Sequence, residues 1–120
     1  MEIGSKGLVE INLTIPQGTS LTFDVAHKDD SGQPVSHVGS TFHMEFQSKD
    51  GKSQVDLSSC CTGTEVGVTV TIPASATSEL KVGKMLWDLI ADMTSGEVVR
   101  LAYGGVSIID TYALDGGNGD

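Results

Sequence analysis

The sequence predicts an all-β chain, a single antiparallel β-sandwich of immunoglobulin-like or jelly-roll kind, with seven or eight strands and one short helical turn near 73–80. Three observations predict it. Apolar residues alternate with polar ones at period two in run after run. The runs are bounded by Gly, Pro and Asp clusters at intervals of about 8 to 15 residues, the spacing of an all-β domain. No shift in composition marks a linker or a second domain.

The centre of the prediction is 84–105, KMLWDLIADMTSGEVVRLAYGG, read as a β-hairpin that carries the only tryptophan. Met85, Trp87, Leu89, Ala91 and Met93 share one parity, and Val99, Leu101 and Tyr103 continue an apolar face after the turn Thr94-Ser95-Gly96-Glu97. A helix competes over Met85 to Met93 because Leu86 and Ile90 are also apolar. The strand is preferred, since Asp88 and Asp92 recur on the opposite parity and Val98-Val99 suits a pleated surface. Trp87 buries about 200 Å² or more, so its sheet is expected at the centre of the core.

From the beginning, Met1–Gly7 reads as a flexible arm, 8–114 as the sandwich and 115–120 as a flexible glycine-rich tail. Leu8 to Ile15 alternates Val9, Ile11, Leu13 and Ile15 against polar positions and reads as one strand. Pro16-Gln17-Gly18 ends it. Ser20 to Lys28 places Leu21, Phe23 and Val25 on one face before the turn Asp29-Asp30-Ser31-Gly32. The cleanest alternation is Thr41 to Ser48, with Phe42, Met44 and Phe46 inward. Lys49-Asp50-Gly51-Lys52 is a tight turn of the Asp-Gly kind, followed by a short strand over 53–57. Ser58 to Gly63 reads as a small-residue connection into Glu65 to Ile72, whose core parity is Val66, Val68, Val70 and Ile72. Pro73 to Leu80 suits one helical turn with proline at its start, and Val106 to Leu114 reads as a separate final strand.

Composition narrows the function. The chain has 120 residues, seven basic and sixteen acidic, with a formal charge of −9. Its basic residues, Lys6, Lys28, Lys49, Lys52, Lys81, Lys84 and Arg100, are dispersed along the sequence, and the negative field repels nucleic-acid phosphate. No apolar run reaches membrane length. The start MEIGSKGLVE lacks a basic segment followed by an apolar one, so no signal peptide is expected and the protein is expected to be made in a cytoplasm. A chain of this size buries roughly two-thirds of its unfolded surface and does not need disulfide staples.

No catalytic, cofactor-binding or metal-ligating residue is assigned, and the chain does not read as an enzyme. Cys60 and Cys61 are neighbours whose side chains diverge on a strand, unlike the spaced ligands of a zinc site. They read as half-buried, inert thiols. His27, His37 and His43 belong to no pairing motif and read as solvated or lightly hydrogen-bonded. No serine sits in a nucleophile elbow. Asp29-Asp30-Ser31-Gly32 has too few spaced oxygens for a calcium loop. The segment Gly116 to Asp120 is a single copy of a pattern that needs stacked repeats to bind calcium.

Ordered pieces along most of the chain carry a resemblance. They are Leu13-Thr14-Ile15-Pro16-Gln17-Gly18-Thr19 with Phe23, Asp30-Ser31-Gly32-Gln33-Pro34-Val35, TFHMEFQS over 41–48 and Val70-Thr71-Ile72-Pro73-Ala74. Gly83 with Trp87-Asp88-Leu89, then Gly96-Glu97-Val98-Val99-Arg100-Leu101 with Gly104-Gly105-Val106, complete them. Over about residues 8 to 112 their succession resembles a small β-sandwich domain of tailed-phage virion proteins, similar to the N-terminal domain of phage baseplate upper proteins. The resemblance implies a virion structural protein. A head decoration or cement protein on the outside of the capsid is the leading expectation, with the major capsid protein or another virion protein as partner and self-association possible. A baseplate, tail or neck attachment adaptor is the alternative, and a carbohydrate- or receptor-binding module is third. Longer relatives continue into a receptor-binding or fibre region, whereas this sequence stops shortly after the domain.

Overall fold

The computed structural model describes residues 9–111, so the predicted arm and tail lie outside the described residues. Nine strands form two facing sheets. The chain order is β1 (Val9–Glu10), β2 (Leu13–Pro16), β3 (Leu21–Ala26), β4 (Thr41–Ser48), β5 (Gln54–Asp56), β6 (Cys61–Thr64), β7 (Gly67–Ile72), β8 (Gly83–Asp92) and β9 (Val98–Ile109), with α1 (Ala74–Thr77) between β7 and β8. One sheet runs β1-β9-β8-β4-β5 with β2 also on β9, and the other runs β3-β7-β6. Taking β3, β4, β5, β6, β7, β8 and β9 as strands B, C, C′, D, E, F and G gives the sheets BED and C′CFG of an immunoglobulin-type sandwich.

The core is the set of inward residues that alternation selects. Phe42, Met44 and Phe46 of β4, and Met85, Trp87, Leu89 and Ala91 of β8, face Val25 of β3 and Val68, Val70 and Ile72 of β7, and all are buried. Phe23 packs edge-on against Trp87 at 5.7 Å between ring centres, a favourable aromatic geometry. The hairpin over 84–105 forms as expected, with β8 and β9 antiparallel around the turn 93–97. The helical turn is present as α1, and Thr77 beneath it donates its hydroxyl proton to the Thr19 carbonyl at 2.6 Å.

Five expectations are corrected. The predicted strand over 8–15 is broken, and both of its pieces, β1 and β2, run parallel to β9 while every other pair is antiparallel. The break has a physical cause: side chains take over the ladder at Ile11-Asn12. The Ile11 carbonyl accepts a hydrogen bond from the Trp87 indole N–H at 2.8 Å, and Asn12 Oδ1 accepts one from the Gly105 N–H at 2.9 Å. Second, 58–63 is more than a connection, because a 3-10 turn over Ser58–Cys60 leads into β6. An edge strand of Cys, Thr and Gly shows no apolar alternation. Third, Val66 is 55% exposed in the β6–β7 turn rather than in the core.

Fourth, the strand expected over 106–114 is the continuation of β9, which runs unbroken from Val98 to Ile109; 112–114 lie outside the described residues. Fifth, Tyr103 is not on the inner face. Leu89 pairs with Ala102 but Ile90 pairs with Arg100, so Leu101 is an extra residue. This β-bulge flips the parity of everything after it. Leu101 and Ala102 are both fully buried, Val106 and Ile108 follow inward, and Tyr103 turns outward beneath the Arg100 guanidinium at 4.7 Å.

Candidate interaction surfaces

Among the described residues no group of three or more His, Cys, Asp and Glu side chains is placed to hold a metal ion. Both cysteines are free and half-buried. Cys61 lies with its thiol 4.0 Å from the Met44 sulfur. Burial, reinforced by the neighbouring Cys60 and Asp56, pushes its pKa up to about 12. Cys60 is raised by burial as well, partly offset by a hydrogen bond with Ser59. Since the thiolate is the reacting form, Cys61 is expected to alkylate more slowly than an open thiol at mildly alkaline pH, by about tenfold or more, the scarcity of thiolate being partly offset by its greater nucleophilicity. Timed iodoacetamide labelling read by mass spectrometry checks this.

The histidines depart from expectation. His27, just after β3, and His37, in the β3–β4 loop, are buried, at 5% and 0% exposure. Their rings meet edge to edge, His27 Nδ1 to His37 Nε2 at 2.7 Å. Sequence could not pair them, because the contact depends on a loop folding back across the open end of the sandwich. His43 is exposed on the outer face of β4.

That outer face holds a cross-strand row. Asp56, Glu45, Asp88, Tyr103 and Glu10 are successive register partners across β5, β4, β8, β9 and β1. Directly opposed like charges are unfavourable, and the row is relieved at Asp88, where Arg100 Nε lies 3.6 Å from Oδ2. Asp56 turns toward the 3-10 turn and accepts the Ser58 N–H at 2.9 Å. Its pKa is lowered, first by the side-chain hydrogen bond with Ser58.

The clearest organisation of charge is end to end. Register puts Ser48 beside Met85, so the β4–β5 turn, with Lys49 and Lys52, sits next to the start of β8, with Lys81 and Lys84. Asp50, Glu79 and Asp110 share that end, giving four lysines against three carboxylates among the described residues. Asp50 is tied into its own turn by the Ser48 hydroxyl at 2.6 Å and the Lys52 N–H at 2.9 Å. At the opposite end, the β3–β4 loop, the β6–β7 turn and the β8–β9 turn carry Asp29, Asp30, Glu65, Asp92 and Glu97 against one lysine among the described residues, Lys28. The basic residues dispersed in sequence are thus gathered in space. A cleft of about 350 Å³ opens at the lysine end, lined by the apolar Val55, Leu80, Val82 and Met85 and by Lys81, Lys84, Glu79, Ser48 and Ser53. Lys49 and Lys84 also line a neighbouring groove against β2 and β9. The one sequence signal of this patch was two Lys-x-x-Lys spacings in turns, 49–52 and 81–84.

Known proteins add no name to these surfaces: no family model matches the chain, and no curated protein matches it.

Proposed function

We propose that the chain is a structural protein of a tailed-phage virion, a head decoration or cement protein that binds the outside of the capsid lattice. The observation that carries the reading is the lysine-rimmed cleft at one end of an otherwise acidic body. Such a molecule adheres by one end only. Its lysines attract an acidic, partly apolar surface, while its acidic remainder keeps copies from clumping and from binding nucleic acid. Repetition over a symmetric shell multiplies a weak single contact into firm occupancy. The ordered resemblance to phage virion sandwich domains supports the same class.

The test is to mix the protein with particles of its source virus that lack it, then count and locate bound copies by electron microscopy. Whole-head signal in a number commensurate with the capsid is the expected result. Signal confined to the tail or neck would replace decoration with the attachment adaptor, and no binding would favour a carbohydrate- or receptor-binding module. Lys81→Glu with Lys84→Glu is expected to lower occupancy about tenfold or more, the scale of losing close charge pairs at an interface. The same double variant should melt within about 1 kcal/mol of the parent, because both side chains are exposed.

A further inference from the structure

We propose that His27 and His37 form an acid-triggered latch on the loop over 27–40, closed while the pair holds at most one extra proton and opened by the second. The 2.7 Å contact between His27 Nδ1 and His37 Nε2 has room for one proton only, with one nitrogen donating and the other accepting. The neutral pair meets that condition. So does the singly charged pair, with His27 as imidazolium donating to a neutral His37.

The two rings sit in different surroundings. His27 lines a cavity with Asp29 and Asp30 of its own loop and Glu97 of the β8–β9 turn. His37 is enclosed. Its ring packs 6.0 Å from that of Phe42, and its Nδ1 meets the Ser40 hydroxyl at 3.1 Å, a group able to donate or accept. Glu65, Asp92 and Lys28, the remaining charged neighbours at this end, are exposed to solvent. Burial first, and then repulsion from His27, lowers the pKa of His37 below the ordinary histidine value.

A second proton therefore places N–H groups on both facing nitrogens, and two positive rings with centres 5.0 Å apart. The hydrogen bond is lost and the rings repel. The unfolded chain takes this proton near the ordinary value of 6.5, the folded chain only below it. Stability is thus unaffected well above that value and falls as pH drops through it toward the lowered folded pKa.

The loop is the part that yields. The His37 N–H donates to the Thr64 carbonyl at 2.8 Å, the His27 N–H to the Val66 carbonyl at 3.0 Å, and the Ser40 N–H to the His37 carbonyl at 3.0 Å. The first two of these bonds and the His37 ring hold the loop on the β6–β7 turn, whereas β8 and β9 are paired along ten registered positions.

Hydrogen exchange on the whole chain, corrected for intrinsic rates, tests the latch. Protection of 35–40 should fall about tenfold or more between about pH 7.5 and about pH 5, with the β8–β9 hairpin unchanged. His27→Gln keeps a partner for His37 Nε2 and removes the repulsion while leaving the burial, so it should lose clearly less of its protection over the same range. Undiminished protection in the parent at the lower pH, or an equal loss in the variant, would overturn the proposal. Should the variant not fold, imidazole NMR of the parent decides. A His37 step below the ordinary histidine value of 6.5 supports the latch, and a step at that value refutes it.

Discussion

Replacing Trp87 by alanine is expected to lower the unfolding free energy by about 3–5 kcal/mol, a large part of the roughly 5–15 kcal/mol typical of a domain. Two losses combine. The indole is 3% exposed at the centre of β8 and packs on Phe23, so its removal leaves a cavity. Its N–H also holds the Ile11 carbonyl where β1 and β2 separate. Trp87→Phe splits the two, retaining most of the volume but not the bond, and should cost less than the alanine variant by about 1–3 kcal/mol. Denaturant melts of both check this, and a near-neutral alanine variant would refute the placement of Trp87 at the centre of the core.

Gly104→Ala is expected to cost about 2–3 kcal/mol through overpacking and displaced hydrogen bonds. A Cβ at this position falls well inside contact distance of the Ile11 carbonyl oxygen, and 3.0 Å from Asn12 Oδ1. Backbone cannot rotate away as a flexible side chain can, so the β1–β2 segment must shift off β9. The bonds from Trp87 and Gly105 would shift with it. The adjacent Gly105→Ala is the control: its Cβ meets only Asn12 Oδ1, at 3.6 Å, and it should cost less than about 1 kcal/mol. Equal losses at the two positions would show that close approach is not what glycine provides at 104.

Where the fold was legible, a single residue period persisted long enough to be read. Thr41 to Phe46 alternates without exception, and so does the inward series Met85, Trp87, Leu89 and Ala91. The illegible features are local exceptions whose cause is distant. Leu101 and Ala102 are both apolar, so a strict alternation passes through the bulge unaltered and misplaces Tyr103. Asn12 looks like an ordinary outward residue until Gly105, 93 positions away, supplies its partner. The candidate surfaces were less legible still. His27 and His37 carry no shared motif, and the four lysines come from two turns that only the β4–β8 register brings together. Patches and pairs of this kind are properties of topology rather than of any sequence window.

The parallel seating of β1 and β2 on β9 also sets an order of events. A ribosome makes β1 and β2 well before β9, and at about 5–20 residues per second roughly 5–20 s pass between Asn12 and Gly105. Until then the early segment has no ladder to join, and Trp87 has no carbonyl for its indole. Contacts this remote are entropically slow to close. The nascent chain therefore carries an unpaired, partly apolar strand until β9 has been made. Completion of the larger sheet is an event in which β9 captures strands made 93 residues earlier.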